Sequence, residues 1–330
     1  MNKFVMTQAV CDEGLAKLKN KGIENIYIAN NGDPNNYLDE MKDAEAIIVR
    51  IGKMDKNAIE NSPNLKVIGR TGVGYDSVDI EAATKAGIPV IITPGANSRS
   101  VAEHTVALIF ALSKDLINAH NGTCEGNFST VRNMGRCTEV LNKKVGFIGL
   151  GNIGNQAAQM CKAVGMEVLG YDPFISQEEI ESRGYTYYGD YEELIKDADF
   201  VSVHVPLIPS TKNMIGKKQL ESMKKTAYII NCSRGGIINE EDLIEALNND
   251  VIAGAALDVF QCEPADPAKG DAILEAKNVI VTPHSAAQTR EAVINMAYMC
   301  IDGCLAVMNG EKWPYVANKE VYNHPKWADK

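Results

Sequence analysis

The segment Lys144 to Pro173, KVGFIGLGNIGNQAAQMCKAVGMEVLGYDP, limits what this chain can fold into more than any other. It opens with an apolar run of strand length, Val145 to Ile148, and Gly149, Gly151 and Gly154 follow at G-x-G-x-x-G spacing. Ile153, Ala157, Met160, Cys161 and Val164 then recur at helical spacing, and Gly165 stands where a helix C-cap would. A second apolar run, Val168 to Tyr171, ends in Asp172. Strand, tight turn, helix, strand and acid thus share one unit of roughly 30 residues.

Each position has a physical job. The first glycine allows the turn, and the second lets a pyrophosphate approach backbone that a side chain would block. The third lets the helix pack closely on the strand. The helix start, around Asn152 and Ile153, offers unpaired N–H groups and a positive dipole end to phosphates. Asp172 then accepts hydrogen bonds from ribose hydroxyls. A carboxylate there repels a 2′-phosphate, so the unit reads as an NAD site, not an NADP site.

With 330 residues, two domains of ordinary size are expected. A net charge of -10 argues against a nucleic-acid surface. The apolar stretch Val101 to Leu112 is interrupted by Glu103 and His104 and is too short to span a bilayer, and Met1 to Val10 is too short for a signal core. Eight scattered cysteines without a CxxC pair read as buried free thiols of a cytoplasmic protein, and no cluster has metal-ligand spacing.

The first hundred residues alternate short β-rich runs (Phe4 to Met6, Ile26 to Ile28, Ala46 to Val49, Lys66 to Ile68, Val90 to Ile92) with helical patterns. That implies a parallel sheet of their own. Ser98 to His120 reads as one long helix with apolar residues most of the way round, followed by a loop-rich connection over 121–141. Further strands at 200–205, 227–231, 252–259 and 279–281 bring the second sheet to about six strands in the doubly wound arrangement. A last helix spans Ala286 to Met308. The expected fold class is α/β: a Rossmann dinucleotide-binding domain, 99–285, inserted into a flavodoxin-like substrate domain, 1–98 and 286–330. The cleft between them is the expected site, with hinges near residues 97–99 and 284–288.

Three charged residues sit just past strand ends of the second sheet. Arg234 follows Tyr228 to Asn231, Glu263 follows Leu257 to Phe260, and His284 follows Val279 to Val281. Such ends face the ligand crevice of a parallel sheet. His284 suits proton exchange with a carbonyl or hydroxyl oxygen, Glu263 suits holding its imidazole in one tautomer, and Arg234 suits a two-bond clamp on a carboxylate. Spacing alone leaves a structural role open for each.

The order of segments resembles the D-isomer-specific 2-hydroxyacid dehydrogenase family over nearly the whole chain. GRTGVGYDSVD, TPGANSRSVAEHTVAL, GLGNIG with YDP, NCSRGGIIN, ALDVFQCEP and TPHSAAQT carry the resemblance. It implies that Arg234, Glu263 and His284 are the catalytic set. It also implies a nicotinamide contact from Asp258 and cofactor contacts near Asn152 and Ile153, Pro206, Cys232 and Thr105. Backbone N–H groups around Val73 and Gly74 would bind the substrate carboxylate. Glutamate at 263 speaks against the formate-oxidising branch, which has glutamine there. The long helix and the connection after it form a dimer interface in the family, so a homodimer is expected.

Within the family the segments look most like the 3-phosphoglycerate dehydrogenases. That likeness implies phosphate binding by arginines near Arg50, Arg70 and Arg132 in the connecting loop. Val73 stands where those enzymes often have threonine, a neutral change because backbone does the binding. Longer members add a C-terminal serine-binding domain; with about 20 residues after the last helix, no such feedback control is expected here. The competing readings are a reductase of glyoxylate, hydroxypyruvate or another 2-oxo acid, and a non-enzymatic NAD(H)-sensing protein like the corepressors built on the same fold.

Overall fold

The computed structural model describes residues 3–29, 37–133, 135 and 137–328. The chain divides into two compact units, Met1–Asn97 with Gln288–Lys330, and Ser98–Ala287. The sequence-based boundaries lie one residue from the first crossover and two from the second.

The first unit holds β1 (Phe4–Met6), β2 (Ile26–Ile28), β3 (Ala46–Val49), β4 (Val67–Arg70) and β5 (Val90–Ile91) in the order β2-β1-β3-β4-β5. All pairings are parallel. Strands β1 and β3 are buried at every residue, which is why they read as unbroken apolar runs and not as alternating ones. The helix Arg290–Met308 packs on β4, burying Met296, Ala297, Cys300, Ile301 and Cys304 in this core. It starts four residues later than expected because Thr289 caps it, accepting from the Ala292 N–H. Among the described residues it is the one helix long and apolar enough to cross a membrane, by length and composition only. Its buried face is spent on the core helix role within this unit. The tail after it is also part of the unit: Val316 bridges Ile91 beside β5, and buried Asn318 ties Val90 and Ile88.

The second unit holds β6 (Lys144–Ile148), β7 (Glu167–Tyr171), β8 (Thr186–Tyr187), β9 (Phe200–Val203), β10 (Tyr228–Asn231), β11 (Gly254–Leu257) and β12 (Val279–Val281). The order is β12-β11-β10-β9-β6-β7-β8, all parallel. Chain order therefore reverses between β6 and β9, the switch point where open α/β sheets bind ligands outside their carboxyl ends. The seventh strand, β8, is two residues long and escaped the sequence count.

The helix expected over 98–120 is two helices, Ser98–Ser113 and Leu116–Cys124. Asp115 between them is left-handed at φ 48°, a conformation that aspartate tolerates better than most residues. The connection that followed also contains structure, the short helix Phe128–Arg132. All eight cysteines are free; Cys161, Cys232, Cys300 and Cys304 are buried, whereas Cys124, Cys137 and Cys262 are exposed, contrary to the expectation of buried thiols throughout.

Candidate functional site

The nucleotide turn leaves the carboxyl end of β6. Gly149 has φ 97°, and a Cβ there would come 2.7 Å from the His204 carbonyl oxygen on β9's exit. At Gly154 a Cβ would fall on the Gly149 carbonyl oxygen, so the third glycine lets the helix close on the turn itself, not on the strand as expected. At Gly151 a Cβ would meet nothing within 4 Å. That open face lies at the N-terminus of the helix Asn152–Ala163, where Gly151 is the N-cap and no side chain claims the first N–H groups. Space, unpaired donors and dipole coincide there, which fits a pyrophosphate. Asp172 directly follows β7, its carboxylate held by the Leu150 and Phe174 N–H groups, both at 2.9 Å. Each oxygen keeps lone pairs for ribose hydroxyls.

Two of the cofactor residues implied by resemblance lie differently. Thr105 is fully buried and donates to the Val101 carbonyl at 2.9 Å. It supports Cys232 from within, and burial pushes that thiol up to about 12. Pro206 is exposed just past β9. Asp258 is 1% exposed, and its carboxylate is the hub of the loop after β12: it accepts from Thr282 Oγ1 at 2.6 Å, Ser285 N at 2.8 Å and Ala286 N at 2.9 Å. It therefore holds the loop carrying His284. His104 shares this network through Thr282 at 3.1 Å, a link the sequence did not signal.

The three charged residues do come together. Asn231 organises the loop after β10, donating to the Arg234 carbonyl at 2.8 Å and accepting from Ser233 N and Oγ. Gly235 lies flat on the backbone of Phe260, where a Cβ would overlap the carbonyl group. Glu263 accepts from the Phe260 N–H at 3.1 Å through Oε1 and pairs with His284 Nδ1 at 2.8 Å through Oε2. Burial pushes the Glu263 carboxyl up, but the His284 hydrogen bond and charge, the Phe260 N–H and the Arg234 charge outweigh it and hold it below the usual range. An ionised carboxylate can only accept, so Nδ1 of His284 carries the proton and Nε2 is left for another partner. The His284 backbone is left-handed at φ 50°. Stability alone does not account for pair and backbone together: a half-exposed ion pair contributes about 0–1 kcal/mol, and such a backbone costs about 1 kcal/mol or more.

In the first unit, among the described residues neither the Val73 nor the Gly74 amide donates to a backbone acceptor. Arg50, just past β3, donates to the Ala9 carbonyl at 3.0 Å and to Gln288 at 3.4 Å. Arg70 braces the strand ends: its Nη1 reaches the Val49, Arg50 and Thr71 carbonyls at 3.3, 2.9 and 3.2 Å. The strand-end carbonyls thus fix the place of the Arg70 guanidinium, for which the resemblance implies a phosphate role. Arg132 is exposed and ends the helix Phe128–Arg132 instead of lying in a loop.

His204 supports the turn from below. Its Nε2 lies 2.8 Å from Ser202 Oγ and its ring stacks on Phe147 at 5.6 Å. Its surround is dense although part of the residue reaches solvent, and burial pushes the imidazole down from 6.5 to about 4. The folded state thus resists a proton that the unfolded chain binds below pH 6.5. Stability from this group is present above that pH, is lost as pH falls, and the loss levels off below about pH 4. Discounted for partial exposure, the loss is about 2 kcal/mol. Urea unfolding of the second unit at neutral and acid pH should show it, and His204→Gln should flatten the difference.

Residues 106–286, inside the second unit, match the family described as D-isomer specific 2-hydroxyacid dehydrogenase, NAD binding domain. The chain is 40% identical over 96% of its length to a D-3-phosphoglycerate dehydrogenase of Methanocaldococcus jannaschii, and spans 60% of the length of that relative. It is 33% identical to a glyoxylate reductase of Korarchaeum cryptofilum, covering 97% of this chain and 96% of that one. Among solved structures, the NAD-complexed D-isomer specific 2-hydroxyacid dehydrogenase of Lactobacillus delbrueckii ssp. bulgaricus superposes with a TM-score of 0.76 at 27% identity, covering 96% of this chain and 100% of that one. With the nucleotide turn, the acid after β7 and the match through the second unit in agreement, the chain belongs to the D-isomer-specific 2-hydroxyacid dehydrogenases, and its second unit is the NAD-binding domain of that family.

Proposed function

We propose that the protein oxidises a D-2-hydroxy acid reversibly to its 2-oxo acid with NAD, and that the acid is D-3-phosphoglycerate. The observation that carries the chemistry is the 2.8 Å pair of Glu263 with His284, whose Nε2 is left available. When bound, NAD supplies the hydride acceptor. His284 Nε2 takes the hydroxyl proton in oxidation and returns it to the carbonyl oxygen in reduction. Glu263 stabilises the imidazolium that forms, and Arg234 holds the carboxylate beside the reacting carbon. The turn residues Gly149, Gly151 and Gly154 with Asn152 and Ile153 would hold the pyrophosphate, Asp172 the ribose, and Pro206 and Cys232 would flank the cofactor. The Val73 and Gly74 amides would bind the substrate carboxylate.

The phosphorylated substrate is favoured by the phosphoglycerate dehydrogenases among the relatives and by Arg50 and Arg132. On this reading the protein feeds serine biosynthesis in the cytoplasm. It would do so as a homodimer, joined through the face where Leu116, Ile117 and Phe128 are exposed on neighbouring helices. The full-length match to a glyoxylate reductase favours a second reading, reduction of glyoxylate or hydroxypyruvate. A non-enzymatic NAD(H) sensor is the third, and turnover excludes it. NADH consumption with 3-phosphohydroxypyruvate and with hydroxypyruvate, in parallel, separates the first two. Arg50→Ala and Arg132→Ala should each raise KM about tenfold for the phosphorylated acid alone. An equal rise for both acids discards the phosphate role.

A further inference from the structure

We propose that Glu240 is a positioning residue for Glu263, holding the backbone turn from which the histidine's partner is presented. The inference rests on the acid–base reading of Glu263 and His284. Glu240 is the first residue of the helix Glu240–Asn248, a place where acids commonly serve the helix itself. Here Asn239 already caps it, accepting from the Asp242 N–H at 3.1 Å. The Glu240 carboxylate turns instead to the N–H of Gln261. That amide adjoins the Phe260 N–H, which is bound to Glu263 itself.

The same peptide unit is also packed against Gly235. Gly235 lies on the Phe260 carbonyl group closely enough that no side chain fits between them. Both contacts therefore come from one short segment, Arg234 to Glu240, and both land on Phe260 and Gln261. The segment that carries the carboxylate clamp thus sets the place of the turn that carries the histidine's partner. Glu240 acts through Glu263 and is not itself a catalytic residue.

The arrangement is unfavourable for Glu240. Burial pushes its carboxyl above the ordinary range, the Gln261 N–H opposes this, and the charges of Asp271 and Glu263 add to it. A half-buried acid near two others weakens a fold that a neutral side chain would suit better. Its benefit is geometric, because a displacement of about 1 Å in a reacting group can cost about a hundredfold in rate.

The test compares Glu240→Ala, Glu240→Gln and His284→Ala in the full chain, measuring kcat and KM with hydroxypyruvate and 3-phosphohydroxypyruvate, and NADH binding by fluorescence. Glu240→Ala should lower kcat about thirtyfold with NADH binding within about twofold of the parent. Glu240→Gln keeps an acceptor oxygen and should recover kcat to within about threefold. If alanine weakens the fold, Glu240→Met removes the acceptor at similar length and should show the same loss. Unchanged kcat in the alanine and methionine variants overturns the proposal, as does a glutamine variant no better than alanine. Inactive His284→Ala beside a fully active Glu240→Ala sinks this inference alone. Turnover by His284→Ala at the parent rate sinks the acid–base reading, and this inference with it.

Discussion

His284→Ala should lower kcat about a thousandfold and leave NADH binding within about twofold. The first half follows from the pairing: Nδ1 is committed to Glu263 at 2.8 Å, so Nε2 is the one titratable atom of this pair directed elsewhere. Without it, proton exchange with the substrate oxygen falls to water, and positioned proton transfer contributes about a hundredfold to ten-thousandfold. The second half follows from separation of labour, since the donors proposed for the pyrophosphate sit at Gly151 and the start of the helix Asn152–Ala163, and no bond among the described residues links them to His284. Stability should move little. The lost pair is half-exposed, and alanine at φ 50° inherits the backbone cost that histidine already bears. Glu263→Gln should lose less than His284→Ala, because the amide still holds the ring through its oxygen while no longer stabilising the imidazolium. Steady-state rates with NADH absorbance and fluorescence titration of NADH check both halves. Retention of more than a tenth of kcat would remove His284 from the acid–base role.

How much of this was readable without coordinates depends on the range of the interaction concerned. The nucleotide unit was readable because Val145 to Asp172 encodes strand, turn, helix and acid within one local stretch, each part confirming the next. Strands β1 and β3 of the first sheet were readable because burial at every residue makes them apolar without interruption. Strand β8 was not, since Thr186–Tyr187 is too short to carry any period. The break at Asp115 was hidden for a different reason: apolar residues continue on either side of it, and one left-handed residue leaves no mark on periodicity. Resemblance implies ligand contacts at Asp258 and Thr105, but their depth below the surface is set by packing from elsewhere in the chain and leaves no mark in the local sequence. Arg70 likewise has carbonyl partners at the end of β3 and just past it, about 20 residues away. Gly235 and Glu240 were the least readable, because their common target, Phe260–Gln261, lies on a separate loop.

Gly154→Ala and Gly151→Ala should separate two roles that the glycine motif combines. At Gly154 the added methyl falls on the Gly149 carbonyl oxygen. Both partners are backbone, so neither rotates away as a side chain would. The turn has little room to recoil either, because Gly149 stands close to the His204 carbonyl. The helix Asn152–Ala163 must therefore shift, taking its N–H groups out of line with the phosphates. Overpacking of this kind costs about 1–3 kcal/mol, and the second unit should unfold at correspondingly lower denaturant. NADH affinity should fall about a hundredfold, since several charge-assisted bonds lose their geometry at once. Gly151 is the contrasting case. It has an ordinary φ of -66°, and its added methyl meets nothing within 4 Å. Gly151→Ala should therefore leave unfolding within about 0.5 kcal/mol of the parent. It should still weaken NADH about tenfold or more, because the methyl occupies the face from which the pyrophosphate approaches. Urea unfolding of the protein without NADH, beside fluorescence titration of NADH, reads both quantities on the same preparations. Equal effects of the two substitutions on stability would mean that the turn is not packed as described. An undiminished NADH affinity in Gly151→Ala would mean that the open face is not where the phosphates lie.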